Sequence, residues 1–94
     1  MPITFDPAKN ARNIAERGLD FHTAALLDWE RAVVTPDRRR DYGEPRFLAL
    51  GMVGDRLHAL VFTPRGEAIR VISFRKANRR EEKVYGQKTR SRDD

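Results

Sequence analysis

The sequence predicts a single α+β domain, with two N-terminal helices packed on an antiparallel β-sheet meander and a short helix at the C-terminus. Three observations carry this. Ala8, Ala11, Ile14 and Ala15 recur at helical spacing. After Arg46, three runs of strand length (RFLALGMV, RLHALVFT and EAIRVISFR) are divided by Gly54-Asp55 and by Pro64-Arg65-Gly66, both turn-forming segments. Asn78 and Glu81 then stand at the two positions of a capping box. Residues 1–86 are expected to form the domain, and residues 87–94, QKTRSRDD, a flexible polar tail.

Each element has a local cause. Ile3-Thr4-Phe5 reads as a short edge strand. Asp6 can cap free N–H groups, Pro7 suits the first helical position, and Gly18 is a natural stop. The other face of this first helix carries Lys9, Asn10, Arg12, Asn13 and Arg17. Asp20 is placed to cap a second helix running through Phe21, Ala24, Ala25, Leu27 and Trp29, with Phe21 and Trp29 as core. Val33-Val34-Thr35 predicts a brief strand, and Pro36 to Pro45, PDRRRDYGEP, an exposed loop with a basic cluster at Arg38-Arg39-Arg40. Apolar residues occupy both parities of the next strand. The sheet is therefore expected to be covered on both faces, one by the N-terminal helices and the other in part by something else, with a partner protein as a candidate. Arg79 and Arg80 fall in the first turn of the last helix, where the helix dipole disfavours each cation by about 0.3–1 kcal/mol.

Composition narrows the chemistry. Among 94 residues, 19 Lys and Arg against 14 Asp and Glu give a net charge of +5 and a pI near 10.2, which favours polyanionic partners. Gly66 to Tyr85 concentrates this charge, with Arg70, Arg75, Lys76, Arg79, Arg80 and Lys83 interleaved with Phe74. The absence of cysteine removes disulfides, thiol catalysis and thiolate metal sites. His22 and His58 are far apart and form no metal-binding pattern, so neither a metal nor a cofactor is expected. The N-terminus has no signal-peptide-like apolar core and no apolar run reaches spanning length, so the expected location is the cytoplasm, away from membranes. Phosphate-binding loops, dinucleotide fingerprints and hydrolase triads have no support in the motifs.

The chemistry left open is phosphoryl transfer by electrostatics and proton transfer. RNA carries its own nucleophile, the ribose 2′-hydroxyl, so its cleavage requires neither a metal nor a protein nucleophile. It requires cations aimed at the developing phosphorane charge, together with a proton acceptor and a donor. Arg46, Arg70 and Arg75 can supply the cations, Glu44 and Glu81 the carboxylates, and Tyr85 an acid or a stacking surface. Arg70 and Arg75 are five residues apart, so on a regular strand they point to opposite faces; they meet only if the strand bulges or ends between them.

The chain resembles the BrnT-type toxins of bacterial type II toxin–antitoxin systems. The resemblance is carried by Phe5-Asp6-Pro7-x-Lys9, Asn13, Gly18 and Phe21-x2-Ala24, then Glu44-x-Arg46 and Gly51. It closes with Arg70-x-Ile72-Ser73-x-Arg75-x-Ala77-x3-Glu81-x3-Tyr85. It implies a RelE-like α+β fold and a small ribonuclease. Together with the residue chemistry above, the expected function is a metal-independent endoribonuclease with Arg46, Arg70 and Arg75 on phosphate and Lys9 and Arg17 helping to bind RNA, while Arg79 and Arg80 are available to RNA or to the partner. Glu44, Glu81 and Tyr85 are the candidates for proton transfer or orientation. The implied partner is a cognate antitoxin with a ribbon-helix-helix DNA-binding domain, through which the pair contacts operator DNA, and a toxin homodimer within a toxin–antitoxin heterotetramer is compatible with this. Family members often have Lys-His-Gly where this chain has Glu16-Arg17-Gly18. Arg17 can hold a phosphate but cannot move a proton at neutral pH, and His22 is the nearest histidine. The alternative is a non-catalytic basic module that binds nucleic acid or an antitoxin, as an inactive toxin would.

Overall fold

A ladder of four antiparallel strands supports every other element. The structure is a computed structural model that describes residues 1–93. In chain order, β1 (Ile3–Thr4) leads to helix α1 (Pro7–Arg17) and a 3₁₀ helix (Phe21–Leu26). Strands β2 (Val33–Pro36), β3 (Phe47–Val53), β4 (Arg56–Arg65) and β5 (Ala68–Lys76) follow, and helix α2 (Arg79–Asp93) is last. Strands β3 to β5 pair consecutively and antiparallel, as expected, and β2 extends the ladder antiparallel to β3. The sheet is not a simple meander, however. Its order is β1-β5-β4-β3-β2, because β1 crosses over to pair in parallel with β5 at Ile3–Ile69 and Thr4–Arg70. Parallel pairing needs a long connection, and the intervening chain supplies it.

The caps of α1 form as the residues dictate. Asp6 accepts a 3.0 Å hydrogen bond from the Ala8 amide, and Gly18 takes the left-handed conformation and donates to the Ile14 carbonyl at 2.8 Å. The buried side of this helix is nevertheless Asn10 and Asn13, while Ala8, Ala11, Ile14 and Ala15 face solvent. Backbone satisfaction explains the inversion. Past Arg70, β5 has no neighbouring strand on that side, and Asn13 Nδ2 donates to the Phe74 carbonyl and to the Leu19 carbonyl, both at 3.0 Å. Asn10 Oδ1 accepts from the Phe21 amide at 2.8 Å, and its Nδ2 donates to Asp20 at 3.2 Å.

The expected second helix is replaced by the short 3₁₀ segment. Asp20 does cap it, accepting from the His22 amide at 2.9 Å, but Leu27 is already extended. Tertiary contact outweighs helical spacing here. The Leu27 side chain lies directly on Gly51, the Asp28 amide donates to the Met52 carbonyl, and Trp29 packs edge-on against Phe62. A Cβ at Gly51 would stand 2.5 Å from Leu27 Cδ2 and 2.7 Å from its Cγ, so any other residue there would force the Leu27 side chain to shift.

Two apolar clusters cover the two sheet faces. Phe21, Ala24 and Leu27 close over Ala49, Leu60, Phe62, Val71 and Phe74 on one face. On the other, α2 covers Val33, Leu50, Leu57 and Ala59, with Tyr85 packed against them, so the second cover belongs to this chain. Asn78 and Glu81 form the capping box in both directions, at 3.0 and 2.9 Å. The helix is longer than expected: it passes through Gly86 and continues to Asp93, while residue 94 of the expected tail lies outside the described residues.

Two local features set the sheet's polarity. Gly54-Asp55 makes the tight turn expected, and the second turn narrows to Gly66-Glu67 because β4 runs on to Arg65. Pro64 is tolerated there because β3 has already ended, at the Phe47–Phe62 pair. Strand β5 bulges at Ile72: Ser73 pairs with Val61 but Val71 pairs with Phe62. Arg70, opposite Thr63, and Arg75, opposite Ala59, therefore share the face that carries α2. Gly51→Ala is expected to cost about 1–3 kcal/mol in urea denaturation through overpacking. Combined with Leu27→Ala, the two changes should cost less than the sum of the single variants.

Candidate functional site

Helix α2 covers only part of its face. Beside it lies a groove of about 320 Å³, floored by Leu48 and Val61, with Asp37 and Arg39 of the β2–β3 loop on one wall and Arg75 and Glu81 on the other. Each wall holds an arginine clamped by a carboxylate. Arg75 donates from Nη1 to Glu81 Oε1 at 2.7 Å and from Nη2 to Oε2 at 2.9 Å. Arg39 donates from Nε and Nη2 to the two Asp37 oxygens, both at 2.8 Å. Two-pronged pairs of this kind fix the guanidinium plane as well as its position.

The electrostatics follow from this geometry. Hydrogen bonds from Arg75 hold the Glu81 carboxyl below the usual range against the opposing effect of burial, and the Asn78 amide adds to them. Arg75 is raised in turn by Glu81, while burial and the like charge of Arg39 pull the other way. Asp37 is held down to about 2, first by the Arg39 side chain, and its side chain is only 4 % exposed. Its carboxylate also accepts from the Arg39 amide at 3.3 Å and from the Tyr42 hydroxyl at 3.4 Å, while its own amide donates to the Arg46 carbonyl at 2.8 Å. Both carboxylates in the groove are thus ionised and engaged at neutral pH.

The residues singled out in the sequence separate into four places. Arg75 and Glu81 meet in this groove. Arg70 reaches the same sheet face through the bulge but does not line the groove; its strand partner Thr63 donates to the Pro45 carbonyl at 2.6 Å, tying the long loop to the sheet. Glu44 and Arg46 line a second groove next to the first. Tyr85 lies apart, packed in the seam between α2 and the sheet and bordering a separate hollow with Met52 and Leu57.

The candidate RNA-binding cations are all exposed. Lys9 and Arg17 border a hollow between α1 and the β5 bulge, together with Arg12 and Ser73. It shares no lining residue with the groove; the link between them is Ser73, which pairs with Val61 of the groove floor. Arg79 and Arg80 stand in the first turn of α2, where Glu81 and Glu82 offset them against the helix dipole. Neither histidine reaches the groove. His22 pairs with Asp20 at 2.9 Å on the surface, and His58 is buried with Nδ1 2.9 Å from the Arg56 carbonyl.

Asp37 is the groove residue that the sequence did not single out, whereas its partner Arg39 belongs to the basic cluster Arg38-Arg39-Arg40 noted in the loop. A signal was present: Asp followed two residues later by a residue whose amide it can cap is an Asx-turn pattern, and it comes directly after the strand-ending Pro36. Among the described residues no group of three or more His, Cys, Asp or Glu gathers as a metal site, and no helix is long and apolar enough to cross a membrane.

The depressed carboxyl of Asp37 has a defined pH signature. Its contribution to stability is complete above its ordinary value of 3.8 and is lost as pH falls through about 2. Asp37→Asn is therefore expected to lower the urea midpoint at neutral pH, with the gap to the unaltered chain closing between those two values. A gap independent of pH would show that the charge of Asp37 is immaterial.

Comparison with known families completes the picture. No curated protein matches the chain. The family model of the ribonuclease toxin BrnT of type II toxin–antitoxin systems matches residues 5–81. The matched span runs from Phe5, against the first core cluster, to Glu81 in the groove, so it takes in strands β2 to β5 and both arginine clamps, while β1 precedes it. On this match the chain belongs to the BrnT family of type II toxin–antitoxin ribonuclease toxins.

Proposed function

We infer that the chain is an endoribonuclease toxin that cleaves RNA without a metal, by attack of a ribose 2′-oxygen on the adjacent phosphorus and departure of the 5′-oxygen. The observation that carries this is the pair of carboxylate-braced guanidiniums, Arg39 and Arg75, facing one groove. Cations already oriented before substrate arrives stabilise phosphorane charge without reorganisation, the largest electrostatic contribution available to such a site. Glu81 and Asp37 serve as braces. Arg70 lies on the same face to attract the strand, while Lys9 and Arg17 extend the basic track across the β5 edge toward α1, and Arg79 and Arg80 border it on α2. A cognate antitoxin carrying a ribbon-helix-helix domain neutralises the toxin and links it to operator DNA.

One observation favours the alternative of a non-catalytic binding module. Both carboxylates in the groove are occupied by arginine, and the groove lining has no imidazole, so the proton transfers fall to water or to the RNA itself. Purified protein incubated with RNA in EDTA separates the two functions. Cleavage is expected, with products ending in a 2′,3′-cyclic phosphate and none at positions carrying a 2′-deoxyribose. Arg75→Ala should slow it by about 10²–10³-fold, the scale of losing one preorganised donor, while antitoxin binding persists. Intact RNA in the presence of folded, unaltered protein across several pH values would leave the binding module as the function.

A further inference from the structure

The groove between the two clamps continues into a second one of about 500 Å³, and the two share Pro36, Asp37 and Arg38. Tyr42 and Arg46 line the second groove as a stacked pair, with the guanidinium carbon 4.0 Å from the ring centre. Arg46 Nε is buried without a hydrogen-bond partner among the described residues, so the ring rather than a carboxylate sets its place. Glu44, in the same lining, has one oxygen buried without a partner and the other 3.6 Å from Arg65, beyond hydrogen-bond length. The Tyr42 hydroxyl donates to Asp37, the carboxylate that orients Arg39 in the neighbouring groove.

We propose that this second groove is a nucleobase subsite. The base next to the phosphate gripped by Arg39 and Arg75 stacks against the Tyr42–Arg46 pair, and Glu44 accepts a hydrogen bond from its exocyclic amino group. The assignment rests on RNA being the substrate of the first groove. Single-stranded RNA is recognised by stacking on aromatic rings and arginine planes and by hydrogen bonds to splayed base edges. The groove has the volume of a small-molecule pocket and opens directly from the phosphate position. An ionised carboxylate only accepts, so it favours adenine, cytosine and guanine, which carry amino groups, over uracil, which does not. Glu44 is 28 % exposed and its terminal torsion is soft, so turning the unpartnered oxygen toward an incoming amino group sacrifices no short contact. That donor would also relieve an otherwise unmet acceptor.

The test uses 2′-O-methyl oligo(A), oligo(C) and oligo(U) tetramers, which cannot be cleaved, with affinity read by fluorescence anisotropy and folding of each variant checked by a thermal melt. Oligo(A) and oligo(C) are expected to bind more tightly than oligo(U). Tyr42→Ala should weaken oligo(A) and oligo(C) by about tenfold, a stacking-sized loss, whereas Tyr42→Phe, which keeps the ring, should retain their binding. Glu44→Gln should narrow the gap to oligo(U), and it carries the test alone if Tyr42→Ala does not fold. Equal affinity for the three oligomers, or an unchanged preference in Glu44→Gln, overturns the subsite. Cleavage assays separate this from the ribonuclease function. RNA cut with no bias at the flanking base refutes the subsite and leaves the nuclease intact. Base-selective binding by a folded protein that leaves RNA uncut refutes the nuclease and leaves the subsite standing.

Discussion

The Glu81 carboxylate is the interaction on which the rest of the site depends. One of its oxygens accepts from the Asn78 amide and so closes the capping box that starts α2, and both oxygens grip Arg75 at the end of β5. A single side chain thereby fixes the angle at which α2 leaves the sheet and the direction in which Arg75 points. If α2 lay flat across the whole face, the groove would be filled. If it left the sheet earlier, Leu50, Leu57 and Ala59 would lose their cover. The half-covered face follows from this geometry, and the groove is its open half.

Pairing each groove arginine with its own carboxylate resolves a conflict of like charges. Arg39 and Arg75 repel one another enough for Arg39 to oppose the rise in Arg75. Two bare guanidiniums on facing walls would turn away into solvent, since long charged side chains lose conformational freedom when held. Asp37 and Glu81 instead fix the orientation of each guanidinium where it lines the groove. Partly exposed pairs of this kind contribute little net stability, so their value lies in orientation. On the proposed function, that orientation is what a phosphate entering the groove would meet.

Much of this was legible in the residues, because caps and tight turns depend on neighbours in sequence. Asp6-Pro7, Gly18, Gly54-Asp55 and Asn78 with Glu81 all act as their local chemistry dictates. The inward face of α1 was not legible. Helical spacing pointed to its alanines, but the helix sits beside an unpaired strand edge that needs amide donors, so Asn10 and Asn13 turn inward instead. The end of the 3₁₀ segment was likewise decided by Leu27 against Gly51, 24 residues downstream in β3. Asp37 looked like one charge among many in a polar loop until the fold closed over it.

The sequence by itself determined the class of fold, the turns and caps, the basic character and the family, since each depends on composition or on residues close together in the chain. Only the tertiary structure decided which cations lie together. Arg70 and Arg75 share a face because β5 bulges at Ile72, a consequence of register against β4 that no property of the strand alone specifies. Arg39 faces Arg75 because the β2–β3 loop folds back over the open half of the sheet. Parity and loop closure are long-range quantities, set by what each strand pairs with, and they convert a basic chain into a directed site.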